Sequence, residues 1–214
     1  MLITVIDYGL SNILSVCRAI ENLGHISTLA DEATALKNAQ VIILPGVGAF
    51  GDGMAKLKER NMLFALKSCA ANGTPILGIC LGMQLLFDAS WEFGLHKGLG
   101  LLSGEVKRIP AKDVNGIPQQ VPHVSWQQLL PPQNATDSFF APFSRKREEV
   151  YFVHSYEAIP QNDTHILAEC EYGGRRICAA AGNENVFGTQ FHPEKSGPVG
   201  LAIMGAFLER TVNG

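Results

Sequence analysis

An α/β fold is predicted for this 214-residue chain, and three observations carry the prediction. Up to about residue 90, short β-branched runs alternate with helically spaced apolar positions, the pattern of a parallel sheet wrapped by helices. Beyond about Gly98, turns of Gly, Pro and polar residues cut the chain into strand-like pieces, so the second half is β-rich. A last amphipathic stretch then packs back on the sheet. At ~150 residues per domain the length fits one ample domain, residues 1–214, with a sizeable core.

LITVI (2–6) is the first strand. A helix follows from about Ser11 to Leu23, with Ser11 or Asn12 as N-cap and Ile13, Val16, Cys17 and Ile20 on its apolar face. VIILP (41–45) is continuously apolar, as a strand buried on both faces must be. PILGI (75–79) is a third strand and leads into the helical LGMQLLFDA. In the second half GLLSGEVKRI, QQVPHVSW, EVYFVHSY, THILAECEY and VFGTQFHPE read as strands. The closing helix, Gly200 to Arg210, carries Leu201, Met204, Phe207 and Leu208 on one side. Pro131 to Arg147 is the expected mobile loop.

Composition narrows the function. Hydrophobic residues make up 46% and charged residues 17%, which excludes disorder by composition. With 17 basic against 20 acidic residues the net charge is -3, without the electrostatic footprint of a nucleic-acid binder. The run Pro75 to Phe87 contains Gln84 and is shorter than the ~18 residues of a membrane span, so no membrane is expected. MLITVIDYG has no basic leader, and Asp7 interrupts its apolar stretch, which gives a cytoplasmic expectation. Five cysteines in no paired or zinc-like spacing call for neither disulfides nor a metal, and no cofactor is expected.

The sharpest local signal is GICLG, Gly78 to Gly82, between a buried strand and a helix. A nucleophile elbow needs small residues two before and two after the nucleophile, because its strained backbone brings neighbouring chain close; Cys80 takes the nucleophile position. A helix N-terminus also favours a thiolate. The alternative is a buried structural cysteine. A cysteine nucleophile needs a base and a group that orients it, and FHPEKS offers His192 and Glu194. In extended backbone these leave on the same side, stiffened by Pro193, at the carboxyl end of a strand. PGVGAFGDG, Pro45 to Gly53, lacks the Lys-Ser/Thr of a phosphate loop; its amides suit an oxyanion hole made by Leu81 with Val47 or Gly48. Cys17, Cys69, Cys170 and Cys178 read as core, and His25, His96 and His165 as surface or turn residues. His123 and His154 sit in ordered motifs, PHVSW and FVHSY, while Arg145-Lys146-Arg147 reads as a solvated turn rather than an RNA site.

Together GICLGMQLLF, QFHPEKS and PGVGAFGDGM resemble the class I (triad) glutamine amidotransferases, whose fold is a flavodoxin-like open mixed sheet flanked by helices. YFVHSY and PHVSW are similar to the glutaminase subunits of imidazole glycerol phosphate synthases. The resemblance implies that Cys80 attacks the side-chain amide of L-glutamine, His192 carries the proton and Glu194 orients it. It also implies a substrate pocket formed by Gly46 to Gly48, Gln84, Ser155 and Tyr156. Such a domain fills nearly all 214 residues, so a separate (β/α)8 cyclase subunit is implied as ammonia acceptor in a heterodimer of histidine biosynthesis. Pro122, His123, Trp126 and Lys195 would face it. The family's PHxGWN loop reads PHVSWQ here, with Ser125 for Gly and Gln127 for Asn, and its SEE is Ser90-Trp91-Glu92. Three alternatives stay open: a glutaminase feeding sugar amidation in surface-polysaccharide synthesis, a triad-fold regulatory subunit without turnover, and a cysteine peptidase or hydrolase.

Overall fold

The computed structural model describes residues 1–133 and 138–213. The first half runs β1 (Leu2–Ile6), α1 (Ile13–Asn22), β2 (Ile26–Ala30), β3 (Ile42–Gly46), α2 (Phe50–Glu59), α3 (Met62–Ala71), β4 (Ile76–Cys80) and α4 (Leu81–Leu85). The second half adds β5 (Phe87–Ser90), β6 (His96–Lys97), β7 (Leu102–Arg108), β8 (His123–Gln128), α5 (Ala141–Arg145) and β9 (Glu149–His154). It ends with β10 (Tyr156–Pro160), β11 (Ile166–Tyr172), β12 (Arg175–Asn183), β13 (Val186–Thr189) and α6 (Gly197–Asn213).

Seven strands form the main sheet in the order β11-β12-β13-β4-β3-β1-β2. Pairing is parallel from β2 through β1, β3 and β4 to β13, and antiparallel beyond it. This is the open mixed α/β sheet expected. Its two faces bury separate apolar clusters: Ile3, Val5, Ile43 and Leu77 point to the side covered by α1 and α6, whereas Ile6, Ile42, Leu44 and Ile76 point to that of α2, α3 and α4. Alternate residues of one strand thus reach opposite cores, and this is why the central strands are apolar at every position. A four-stranded sheet (β10-β7-β5-β6) and the β8-β9 pair complete the architecture. Among the described residues no helix is long and apolar enough to cross a membrane.

Several boundaries differ from the sequence reading. The helix expected over LGMQLLFDA stops at Leu85, because Phe87 to Ser90 pair with β7 as a strand. Tertiary pairing there overrides helical spacing. Neither Ser11 nor Asn12 caps α1 through its side chain, although Asn12 holds the N-cap position. Ser155 splits the expected strand EVYFVHSY into β9 and β10. Of the expected mobile loop Pro131 to Arg147, residues 134–137 lie outside the described residues, and Ala141–Arg145 is the helix α5.

Candidate active site

Cys80 ends β4 and immediately precedes α4, with φ 55° and ψ -109°. The two glycines of GICLG are there for space. A Cβ on Gly78 would come within 2.7 Å of the Gly82 carbonyl group, and one on Gly82 would overlap the Leu44 backbone. The elbow therefore packs its own turn and β3 against the nucleophile strand with no room for side chains. The Cys80 thiol donates to the Val153 carbonyl at 3.8 Å and accepts from Gln190 Nε2 at 3.8 Å.

His192 and Glu194 come together in a tight turn, not the extended backbone expected, since Pro193–Lys195 is a single 3-10 turn. His192 Nδ1–H donates to Glu194 Oε1 at 2.7 Å, with side chains 3% and 2% exposed. The turn is bolted to β9: the His192 amide donates to Tyr151 O at 3.0 Å, the Ser196 hydroxyl to His192 O at 2.7 Å, and the Tyr151 amide to Ser196 Oγ at 2.9 Å. Burial disfavours the imidazolium, but interaction with Cys80 and Glu194 outweighs it and raises the His192 pKa to about 9. Nε2, the nitrogen left for chemistry, has no aligned hydrogen-bond partner among the described residues.

Cys80 and His192 open into a cavity of about 260 Å3 lined also by Val47, Gly48, Leu81, Gln84, Glu92, Pro122, Val153, His154, Ser155 and Tyr156. Val47, Gly48, Leu81, Gln84, Ser155 and Tyr156 thus share one cavity with Cys80 and His192. Gly46 is not on the wall; it is buried in β3 opposite Cys80. Gln84 is committed to the frame, since its Nε2 donates at 2.9 Å both to Tyr156 O and to Gln190 Oε1. On the oxyanion side the Val47 amide does not point at the cavity, because it donates to the Leu10 carbonyl at 2.8 Å. Gly48, at φ 104°, carries a backbone rotation that an L side chain would resist.

One of the four residues expected at a partner surface is elsewhere: His123 is fully buried, stacked on Phe152 and Tyr172. Pro122 is exposed and also lines the cavity. Trp126, 52% exposed and in ring contact with Tyr151, and the exposed Lys195 do face outward. Alternation along β8 explains the split: Val124, Trp126 and Gln128 point out, while His123, Ser125 and Gln127 point in. The inward residues begin a hydrogen-bonded chain that ends at the cavity. Burial keeps His154 and His123 neutral, with pKa values lowered to about 3 and about 4. His154 Nδ1–H donates to Tyr156 O at 2.8 Å, so its Nε2 accepts from His123 Nδ1–H at 3.0 Å. His123 Nε2 accepts from the Ser125 hydroxyl at 2.7 Å, and Ser125 Oγ accepts from Gln127 Nε2 at 3.3 Å.

The sequence reading missed Glu92 and Gln190. Glu92, noted there only as part of a departure from SEE, places a largely buried carboxylate in the cavity wall; Oε2 accepts the Phe50 amide of α2 at 2.6 Å. Burial raises its pKa, partly offset by that amide. A buried acid just past a strand end, facing an apolar loop, was its only local signal. Among the described residues no group of three or more His, Cys, Asp or Glu is placed to hold a metal ion.

An elbow cysteine beside a His–Glu pair, on an open mixed sheet, defines a class of protein, and the family model for "Glutamine amidotransferase class-I" matches residues 4–209; the chain belongs to that family. Among similar sequences, imidazole glycerol phosphate synthase subunit HisH of Geobacillus kaustophilus (strain HTA426) is 46% identical over 209 residues, covering 97% of this chain and 96% of its own. The corresponding subunit HisH 1 of Legionella pneumophila (strain Lens) is 42% identical over 209 residues, covering 97% and 98%. Of the solved structures, PurLQS from Thermotoga maritima shares the fold, with a TM-score of 0.73 at 23% identity over 98% of both chains.

Proposed function

We propose that this chain is the glutaminase subunit of an imidazole glycerol phosphate synthase, hydrolysing L-glutamine and passing ammonia to a separate cyclase subunit of (β/α)8 fold. The observation that carries the reading is the meeting of the strained Cys80 elbow with the His192–Glu194 pair at one cavity. Similarity to HisH subunits over nearly the whole chain supports the choice of pathway.

In this mechanism His192 Nε2 already holds the proton drawn from the Cys80 thiol, as its pKa of about 9 favours, and the thiolate Sγ attacks the amide carbon of glutamine. The oxyanion forms beside the Leu81 amide, the first of α4 and so without an intrahelical acceptor. His192 returns the proton to the nitrogen as the C–N bond breaks, ammonia leaves, and a γ-glutamyl thioester remains. Water, deprotonated by His192, then releases glutamate and regenerates the thiol. Glu194 holds the tautomer with Nδ1–H and supports the imidazolium. Glu92 supplies the carboxylate for the substrate's α-ammonium group, which leaves the side-chain amide to reach Cys80.

The Val47 amide is the second oxyanion donor, and its bond to Leu10 O marks a resting state that must turn before the hole is complete. Partner docking on the Trp126 and Lys195 face, together with the partner's ligand, supplies that turn. The departures Ser125 and Gln127 belong to the inward side of β8, so they bear on the histidine chain rather than on the outward face. Cys80→Ala tests the assignment in the reconstituted complex. Glutamine-dependent synthesis of imidazole glycerol phosphate is abolished, whereas ammonia-dependent synthesis is retained; equal loss of both would make Cys80 a structural residue.

A further inference from the structure

Six buried side-chain polar atoms lack a hydrogen-bond partner among the described residues, and three belong to the reaction centre or its border: His192 Nε2, Glu194 Oε2 and the Tyr8 hydroxyl. The first two belong to the proposed chemistry. Tyr8 has no role in it so far. The side chain is fully buried, and its hydroxyl would block a Cβ built on Gly46, a position itself 3.0 Å from the Gly82 amide nitrogen and 3.0 Å from Leu81 Cβ. An unpaired donor is thus wedged between β3 and the start of α4, beside the peptide that leads into the oxyanion loop. The turn that carries Tyr8 is braced, with the Asp7 amide donating to Ala30 O at 2.8 Å and the Gly9 amide to Asp7 Oδ1 at 3.0 Å.

We propose that Tyr8 is a positioning residue for oxyanion stabilisation: its hydroxyl donates to the Gly46 carbonyl once the Gly46–Val47 peptide has turned to aim the Val47 amide into the cavity. This rests on the reading of Val47 as an oxyanion donor. A peptide is planar, so turning it exchanges the directions of its N–H and its C=O. At present the N–H faces the segment Tyr8–Leu10, through Leu10 O at 2.8 Å. After the turn the Gly46 carbonyl faces that segment instead and meets Leu10 O, acceptor against acceptor. A donor is required on that side, and Tyr8 presents one already in contact with Gly46. A buried donor without an acceptor is a standing cost. The turned state removes that cost, so Tyr8 biases the loop toward activity while Leu10 biases it toward rest, and the partner's ligand moves the population from the resting to the turned state.

The test compares wild type and Tyr8→Phe, each alone and in complex with the cyclase subunit and its ligand. The variant keeps the ring and loses only the hydroxyl. Glutaminase kcat in the liganded complex falls about tenfold, the loss of one hydrogen bond (~1.4 kcal/mol). KM for glutamine and ammonia-dependent synthesis stay unchanged, and the melting temperature of the lone chain is equal or higher, because no resting bond is lost. An unchanged kcat in a wild type that is strongly activated by its partner overturns the role of Tyr8 alone. A lowered melting temperature, or a raised KM with constant kcat, overturns it too, by making the hydroxyl a structural or substrate contact. If the wild type is not activated at all, the Val47 reading fails first, and Tyr8 with it.

Discussion

On one wall of the cavity the His192–Glu194 pair is hydrogen-bonded at 2.7 Å, buried, and bolted through Ser196 and Tyr151 to β9. On the opposite wall the Val47 amide is spent on Leu10 O, and Gly48 sits at φ 104°. The acid–base side is set by short-range contacts inside a turn, which folding alone satisfies. The oxyanion side, in the proposed mechanism, depends on one peptide that must turn, with Gly46 and Gly48 permitting the rotation. Under that proposal, competence to hold glutamine is separate from competence to cleave it, and turnover waits for an ammonia acceptor.

The strongest way to break the comparison is to damage the finished wall. His192→Asn removes the proton carrier and lowers kcat by a factor of about 10²–10⁴, whereas Glu194→Gln, which leaves His192 in place, costs less. Steady-state kinetics of both variants in the liganded complex check the order; Glu194→Gln as the more severe loss would reverse the roles. Next in size, Glu92→Gln keeps the acceptor for Phe50 but removes the charge facing the α-ammonium. A charge-assisted hydrogen bond of ~1.5–3 kcal/mol corresponds to a rise in KM of about 10- to 100-fold with little change in kcat. A fall in kcat at constant KM would place Glu92 in the transition state instead.

A smaller effect sharpens the contrast through pH. The His192 pKa is raised from 6.5 to about 9, so the folded state binds more protons than the unfolded one in that interval. Its contribution to stability is therefore present below about pH 6.5 and lost as pH rises through about 9. The neutral pair behaves oppositely: the pKa values of His123 and His154 are lowered to about 4 and about 3, so stability falls as pH drops below 6.5. Melting temperature against pH has both limbs, and Glu194→Gln flattens the alkaline limb only. A change confined to the acid limb would mean that the carboxylate is not what holds the His192 proton.

Much of the finished wall was legible in the sequence because its determinants are local. Gly78, Cys80 and Gly82 lie within five residues, and His192 and Glu194 are two apart, so spacing alone predicts that each group acts together. The central strands were legible for the same reason, since burial on both faces writes itself as an unbroken apolar run. Glu92, Gln190 and Tyr8 were not legible as site residues, because each reaches the cavity or its border through contacts with segments far away in sequence, Phe50, Gln84 and Gly46 respectively. Strand β12 hides in an Ala-rich stretch of weak β preference that pairing with β11 and β13 makes into a strand. His123 was misplaced for want of register: once β8 pairs with β9, opposite His154, alternation sends it inward.

If acid–base competence precedes oxyanion competence, both can be read in one sample. Alkylation of Cys80 by iodoacetamide needs the thiolate and no oxyanion hole, whereas glutamine turnover needs both, and each is measured for the complex with the cyclase subunit before and after its ligand is added. Because one missing oxyanion donor costs a factor of ~10²–10³, turnover should rise by about that much on adding ligand, while the alkylation rate changes by less than about threefold. Alkylation rising in step with turnover, or full turnover before the ligand is added, would show instead that the two walls become competent together.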